Sequence, residues 1–399
     1  MGLKFHTYIC GSIRDKRNAQ KLCLESLAQE IIFELNKNPL SLNEIISRYG
    51  LKSSSIVKEL LSANVLKIKD DKIYVNFSLF TLNDLKKLRI IGEHYGEALA
   101  EKVLESSDKI DSAIKEIKYL NHIGIDKARF IIVGCYILDL RSLKFFGEKG
   151  IGSCEVEKYL GGKYILYGRE ALSREVLASI IKGLYWGCHS TESNKFFIAS
   201  FGDHFGKRYA FPDEYWFDPQ KYGGKIASWK IFLYFILHRY AVISRIFFDT
   251  IGIFLKTIVE NNGISLEELR DKLKVNEKTF NNIIQVLSDL EYIELRKGKV
   301  VLKAPYLTSS DWKVVDKVEY IVRNMLEEFI SENLTSLREE LKHLTPSKWD
   351  IRFEEIFIEV WHWIFGYANR VLALKGYFYK PISRRKNEGE YIYWIHEKP

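Results

Sequence analysis

Several residue types are scarce in this chain of 399 residues, and each scarcity excludes a class of protein. With only 7 prolines and 25 glycines, the chain is neither collagen-like nor a disordered linker. The 5 cysteines contain no CxxC pair, which excludes a zinc knuckle and a dense disulfide framework. Their odd number is typical of a protein of the reducing cytosol. The 2 methionines and few glutamines, beside many lysines and glutamates, indicate a thermophilic source.

A membrane segment is not expected either. The most apolar stretch, residues 226–248, contains Lys230, His238, Arg239 and Arg245, and these charges favour a buried amphipathic helix. The N-terminus shows no signal peptide, and position 6 lacks the serine or threonine of a myristoylation site. We therefore expect a cytoplasmic protein without a membrane partner.

What is present is the composition of a folded protein with a surplus of basic charge. Hydrophobic residues make up 47% of the chain and charged residues 28%, and a chain of this length predicts roughly two to four domains. The 60 basic residues exceed the 52 acidic ones and give a net charge of +8. That surplus permits a polyanionic partner.

An internal repeat is the most informative feature, with Ser41–Thr81 matching Ser265–Thr308. The spacing between equivalent residues grows from 224 at the first serine to 227 at the last threonine, and we place the 3 extra residues at the end of the repeat's third helix. Both copies open on S-x-x-E, which predicts a helix that begins with a capping box.

Each copy predicts the same order of elements: a helix, a short capped helix, a turn, a third helix and a hairpin. The predicted hairpin strands are residues 65–68 and 72–75 in the first copy, and 292–295 and 299–302 in the second. This order resembles the winged-helix family of DNA-binding domains. The resemblance implies that the third helix enters the major groove and that the hairpin, or wing, contacts the backbone or minor groove.

A long amphipathic helix follows each copy, at residues 83–105 and 310–333. Beyond the second of these, we predict a short capped helix at Ser336–Glu340, an apolar helix at 352–374 and a hairpin of Tyr377–Lys380 with Glu390–Trp394. We interpret this region as a third winged-helix-like unit.

In the middle of the chain we predict a helix from Ser173 to His189 and a hairpin of Lys195–Ala199 with Arg208–Phe211. We interpret it as a diverged winged helix with an insertion near 140–170.

The predicted fold is mainly α with small β-hairpins, with internally duplicated, tandem winged helix-turn-helix domains joined by long helices. The predicted divisions are an N-terminal extension (1–21), the first winged-helix domain (22–82), a middle helical and hairpin region (83–250), the second winged-helix domain (251–308), and a long helix with the C-terminal unit (309–399).

Polar residues on the third helices and basic residues on the wings are the candidate DNA contacts. Hydroxyl and lysine side chains suit phosphates, asparagine can pair with adenine, and a basic hairpin tip suits the backbone or minor groove. The alternative is that these residues are ordinary solvated surface. The candidates are Lys52, Ser53, Ser54, Ser55, Lys58, Lys69 and Lys72 in the first copy; Asn276, Lys278, Thr279, Asn281, Asn282, Arg296, Lys297 and Lys299 in the second; and Arg384, Arg385 and Lys386 at the C-terminal hairpin tip.

No catalytic, cofactor or metal site is predicted. The segment Gly202–Lys207 is two residues short of the phosphate-loop spacing and lacks the following serine or threonine. Cys188 and His189 have no second ligand pair, so we interpret them as a buried cysteine beside an incidental histidine. We therefore expect a protein that is not an enzyme.

Tandem winged helices in a basic chain of this length also resemble the archaeal winged-helix initiator family, which is related to the eukaryotic replication-licensing factor. The resemblance implies recognition of replication origins by a nucleoid-associated protein. It also implies double-stranded DNA as a partner, with other replication initiators or the replicative helicase as further ones. Separately, the long helices after the two copies offer a face for a second copy of the chain. A transcriptional regulator that binds promoters and a protein-interaction scaffold built of winged helices remain open as alternatives.

Overall fold

The computed structural model describes residues 3–203, 241–289, 291–383 and 390–399, and within these ranges the protein is mainly helical with small sheets. The helices are α1 (Ala19–Cys23), α2 (Ser26–Leu35), α3 (Leu42–Tyr49), α4 (Lys52–Ser62), α5 (Leu82–Glu105), α6 (Ser107–Ile114), α7 (Leu120–Ile123), α8 (Ile125–Arg129), a π-helix (Phe130–Arg141), α9 (Ser142–Glu148), α10 (Arg174–Ile181), α11 (Ala241–Glu260), α12 (Leu266–Leu273), α13 (Glu277–Asp289), α14 (Trp312–Leu341), α15 (Thr345–Lys348) and α16 (Phe353–Leu374). The strands are β1 (Phe5–Ile13), β2 (Leu66–Lys69), β3 (Lys72–Val75), β4 (Ser78–Phe80), β5 (Gly162–Glu170), β6 (Tyr185–Glu192), β7 (Phe196–Asp203), β8 (Ile264–Ser265), β9 (Ile293–Arg296), β10 (Lys299–Leu302), β11 (Tyr306–Leu307) and β12 (Tyr391–Glu397).

Contacts divide the chain into two compact units, and each unit contains segments from both halves of the sequence. Unit 1 comprises Met1–Val103, Ile137–Lys182 and Val322–Val371, and unit 2 comprises Leu104–Tyr136, Gly183–Ile321 and Leu372–Pro399. The consecutive divisions drawn from the sequence therefore differ from the units. The first copy of the repeat (22–82) nevertheless lies wholly in unit 1, and the second copy (251–308) lies wholly in unit 2.

The predicted order of helices and hairpin is confirmed in both copies. In the first copy α2, α3 and α4 precede the hairpin β2–β3, and in the second copy α11, α12 and α13 precede the hairpin β9–β10. Both predicted capping boxes form, at Ser41 and Ser265. Hydrogen bonds from these serines hold the pKa of Glu44 and of Glu268 below its usual value.

The 3 extra residues of the second copy lie in the turn before the third helix and at the start of that helix, and the prediction that they lie at its end is wrong. Helices α4 and α13 end at residues 62 and 289, and the hairpins keep the same spacing of 227. The buried positions of the two helices match at this same spacing of 227, because the buried residues Ser53 and Leu60 of α4 correspond to the buried Phe280 and Leu287 of α13. Periodicity could not locate the insertion, since residues three apart lie on nearly the same face of a helix.

In unit 1 the first copy packs against a sheet in the order β1-β5-β4, in which β1 is antiparallel and β4 parallel to β5. The residues predicted as an N-terminal extension thus supply a strand that pairs along its whole length with β5. Phe5 of β1 and Tyr164 of β5 belong to the same buried cluster as Ile45 and Leu60 of the first copy. The extension is therefore part of the core.

A disulfide joins Cys10 of β1 to Cys154 across a separation of 144 residues. The odd cysteine count led us to expect a protein of the reducing cytosol, and this bond differs from that expectation, because disulfides are rare there outside hyperthermophiles. Closing a loop of this length stabilises a fold by about 5 kcal/mol in the chain-entropy model. Cys23 is a buried thiol, and burial raises its pKa well above the usual value.

In unit 2 the second copy packs against a four-stranded sheet in the order β11-β12-β7-β6. Strand β12 is antiparallel to β7 and parallel to β11. Ile198 of β7 and Tyr393 of β12 share one buried cluster with Phe254, Phe280 and Tyr292 of the second copy. Each copy is thus anchored to a sheet whose strands come from distant parts of the chain.

The predictions for the middle of the chain are confirmed only in part. The predicted helix Ser173–His189 ends at Ile181, and its second half belongs to β6. The predicted strand 195–199 is present as part of β7 and pairs with β6 and β12. Its predicted partner, residues 208–211, lies outside the described residues.

The C-terminal region also differs from the prediction. The apolar helix predicted at 352–374 is confirmed as α16, and the short helix predicted at 336–340 is the last part of α14. In place of a C-terminal hairpin, β12 pairs with β7 and β11, and a single bridge joins Ile382 to Tyr391 among the described residues. The interpretation of this region as a third winged-helix-like unit is therefore wrong.

A buried aspartate lies at the start of the long helix after each copy. Asp84 accepts hydrogen bonds from the backbone N–H and hydroxyl of Thr81 at 2.8 and 2.7 Å. Asp311 accepts the same two bonds from Thr308 at 2.6 and 2.7 Å. The two pairs are 227 residues apart, so the repeat continues beyond the hairpins.

Each of these aspartates also binds a backbone N–H from the other half of the sequence. In unit 1 the N–H of Thr345 donates to Oδ1 of Asp84 at 2.9 Å, and in unit 2 the N–H of Lys118 donates to Oδ1 of Asp311 at 3.1 Å. Lys118 and Thr345 are again 227 residues apart. The two halves of the chain therefore contribute equivalent segments to each other's unit.

We predict that Asp311→Ala lowers the free energy of unfolding by about 2–4 kcal/mol, because three donors lose their acceptor in a buried site. Thermal unfolding followed by calorimetry measures the change. The matched control is Lys313→Ala, an exposed residue two positions further along the same segment. Equal melting temperatures for the two variants would show that the aspartate does not hold the unit together.

Candidate nucleic-acid interface

The third helix of the second copy, α13, has a defined start and one polar face. Asn276 is its N-cap, since its side-chain oxygen accepts from the N–H of Thr279 at 2.9 Å. Helix α12 ends at Leu273, and the left-handed backbone of its C-cap Lys274, with φ of 50°, turns the chain towards α13. Phe280, Ile283 and Leu287 face the core. The opposite face of α13 is left for solvent or a partner.

That outer face carries polar side chains at helical spacing. Lys278, Asn281 and Gln285 are exposed and Asn282 is half-buried, at positions three and four residues apart. Thr279 is exposed beside them. Every candidate proposed on this helix except the N-cap Asn276 therefore has a side chain available to a partner. Gln285 continues the stripe and was missed from the sequence, although its spacing from Asn281 identifies it.

The second hairpin presents basic side chains at a tight turn. Lys297 and Gly298 both have positive φ, 49° and 75°, as a two-residue hairpin turn requires. Lys297 and Lys299 are exposed. The Arg296 side chain is 70% exposed and forms an ion pair with Glu294. The three basic candidates of this wing thus lie together at its tip.

The third helix of the first copy, α4, has fewer of its candidate side chains available to a partner. Lys52, Ser55 and Lys58 are exposed and Ser54 is half-buried. Ser53 is fully buried, and its hydroxyl donates to the carbonyl of Gly50 at 2.6 Å. The prediction that Ser53 contacts DNA is therefore wrong, because Ser53 occupies the core position that Phe280 has in the second copy.

The first hairpin is docked within unit 1. Lys69 forms an ion pair with Asp350 at 2.7 Å, and Lys67 donates to the backbone carbonyl of Trp349 at 2.5 Å. The ring of Trp349 packs against Tyr74, with 5.9 Å between the centroids. Partial burial lowers the pKa of Lys67, while the hydrogen bond to Asp350 raises the pKa of Lys69. The charge of Lys69 is thus already paired with Asp350, which leaves this side chain less able to contact a phosphate. Lys72 remains exposed.

The equivalent place in unit 2 is open. We call residues 345–350 in unit 1 and their equivalents 118–123 in unit 2 the facing turns. His122 stands where unit 1 has Trp349, Ile123 where it has Asp350, and Val301 where it has Tyr74. A cleft of about 750 Å³, lined by His122, Arg296 and Val301 among others, separates the hairpin from this facing turn. A ring nitrogen of His122 lies 3.0 Å from the carbonyl oxygen of Ala304, just beyond the hairpin. Ile123, however, has no carboxylate to form the ion pair that Asp350 forms with Lys69 of the first hairpin. The second wing lacks that ion pair, and we call it undocked in this sense.

Acidic and basic side chains are both present around the second wing. Arg296 and Lys303 face Glu294 and Glu291, with a distance of 3.4 Å between the charged atoms of Lys303 and Glu291. The exposed lysines at the hairpin tip, Lys297 and Lys299, lie beyond these pairs. The tip is consequently the most basic part of the hairpin, where a phosphate backbone would be contacted.

Some candidates cannot be placed. Arg384, Arg385 and Lys386 lie outside the described residues, and so does most of Gly202–Lys207. The described ranges contain no cluster of three histidine, cysteine, aspartate or glutamate side chains that could hold a metal ion. In the same ranges, no helix has the length and apolar character needed to cross a membrane.

Comparisons with protein-family models, curated proteins and solved structures find no match to this chain.

We predict that replacing Lys297 and Lys299 by alanine lowers the salt slope of duplex binding by up to about 2, because each phosphate contact contributes about 0.9 to that slope. Fluorescence anisotropy across a salt titration gives the slope. Lys67→Ala with Lys69→Ala is the control in the docked wing and should leave the slope unchanged. The reverse pattern would assign the phosphate contacts to the first wing.

Proposed function

We propose that this protein binds double-stranded DNA as a tandem winged-helix protein, and that the second copy is its main reader. In this proposal α13 enters the major groove and the hairpin β9–β10 acts as a wing on the backbone or minor groove. Lys52, Ser54, Ser55, Lys58 and Lys72 of the first copy add contacts to phosphates. The chain acts by binding and not by catalysis.

One observation carries the proposal. The exposed face of α13 is polar and rich in amides, and it belongs to the copy whose basic hairpin tip is undocked. A solvated helix surface needs no particular side chains, whereas base edges in the major groove are read by amide and lysine groups. The net charge of +8 supports association with a polyanion.

We further propose that the DNA is a replication origin and that the protein resides at the nucleoid. The support is the resemblance of the sequence pattern to the archaeal winged-helix initiator family. Other initiators, the replicative helicase or a second copy of the chain would then be its protein partners. This role depends on duplex binding and fails with it.

The test is a double variant of the second copy, Lys278→Ala with Asn282→Ala. Its affinity for the tightest duplex selected from sheared genomic DNA should fall by about 1–3 kcal/mol for each base that the variant side chains no longer reach. Anisotropy at about 150 mM salt measures the affinity, because salt above this range suppresses phosphate contacts. The selection itself separates a few enriched loci, expected for an initiator, from many promoters, expected for a regulator.

The matched control is Ser55→Ala in the first copy, because Ser55 is the equivalent of Asn282 at the spacing of 227. That variant removes at most one phosphate contact, so its loss of affinity should be small and about the same for every duplex sequence. Affinity that is insensitive to the double variant would remove α13 from the interface. Absence of any duplex retention would overturn DNA binding altogether.

A further inference from the structure

The outer face of α13 has a particular chemistry as well as polarity. Of the four side chains in its stripe, three are primary amides, from Asn281, Asn282 and Gln285, and the fourth is Lys278. Asn276 is a fourth amide near this helix, but its oxygen is committed to the helix start through the bond to Thr279. Arginine is absent from the sequence 277–289.

A primary amide matches one base better than the others in the major groove. Adenine presents the N7 acceptor beside the N6 donor, and an amide offers a donor beside an acceptor. Guanine presents two acceptors, N7 and O6, which arginine or lysine satisfies with paired donors. An amide that faces guanine would direct its carbonyl oxygen at a second acceptor. The three amides of the stripe therefore favour adenine and disfavour guanine.

The first copy lacks this chemistry. At the spacing of 227, Ser54, Ser55 and Lys58 are the equivalents of Asn281, Asn282 and Gln285. A serine hydroxyl can donate or accept and so accommodates any base. Base preference is accordingly expected from the second copy alone. The first copy supplies matched positions at which substitution by alanine should leave the base preference unchanged.

We infer that the second copy binds A·T base pairs, with the amides of Asn281 and Asn282 paired to the N7 and N6 groups of adenine. The exposed Thr279 stands on the adjoining flank of the helix, where its methyl group can contact the methyl group of a thymine. Lys278 lies in the first turn, where it can reach a phosphate. This inference rests on the proposed duplex binding and narrows it to a class of sequence.

The experiment replaces single atoms of the DNA. Duplexes are selected from a random-sequence pool, and the tightest is resynthesised with 7-deazaadenine or with 7-deazaguanine throughout. Each analogue loses the N7 acceptor and keeps Watson–Crick pairing. We expect A·T-rich selected sequences and a loss of affinity with 7-deazaadenine of about fivefold per contacted adenine, the cost of one hydrogen bond. Replacement by 7-deazaguanine should have little effect.

The protein side completes the test. In the variant Asn281→Ala with Asn282→Ala, the sensitivity to 7-deazaadenine should disappear, while Ser54→Ala with Ser55→Ala should retain it in full. Sensitivity to 7-deazaguanine alone, or to neither analogue, would overturn the inference and leave duplex binding intact. Failure to select any duplex would overturn the proposed function itself. The analogue measurement uses the unchanged protein, so it does not depend on the folding of a variant.

Discussion

The buried aspartates at the start of the two long helices are the interaction on which both units depend. Each binds its own threonine and, through its second oxygen, a backbone N–H from the other half of the sequence. Because that N–H belongs to the facing turn, the aspartate fixes the turn opposite the hairpin of the same unit. The same anchor therefore determines in both units what the wing can contact.

Identical anchors have different consequences because the facing turns differ in their side chains. In unit 1, Trp349 and Asp350 meet an aromatic ring and two lysines, so the first wing is docked. In unit 2, His122 lines a cleft beside the hairpin, and Ile123 has no carboxylate to pair with a basic side chain. A duplicated fold can thus divide its tasks, with one copy committed to intramolecular contacts and the other left with an accessible helix and wing. The proposed dominance of the second copy follows from this difference.

Local signals in the sequence were sufficient for much of the fold. The capping boxes, the two hairpins and the helices α5 and α16 depend on residues a few positions apart, and the sequence patterns placed them correctly. Strand pairing across long separations could not be predicted, because no local sequence pattern identifies the partners of β1, β7 and β12. The pairing of Cys10 with Cys154 and the burial of Ser53 depend on the same distant packing.

The part of the candidate site that lies on a helix surface could be predicted, because helical spacing identifies the residues that share a face. The amides of α13 were identified from their spacing, whereas the docking of Lys69 required knowledge of Asp350, which lies 281 residues away. The misplaced insertion had a similar cause, since a shift of three residues preserves helical periodicity. Only burial distinguishes the two alignments, and burial is a property of the folded chain.

Hydrogen–deuterium exchange of the full chain, with and without a selected duplex, tests most directly whether the second copy is the main reader. We predict slower exchange on DNA binding at the start of α13 and in the hairpin β9–β10, with clearly weaker protection of the equivalent residues 52–58 and 66–75. Protection centred on the first copy, or on neither copy while DNA is bound, would contradict this division of tasks between the copies.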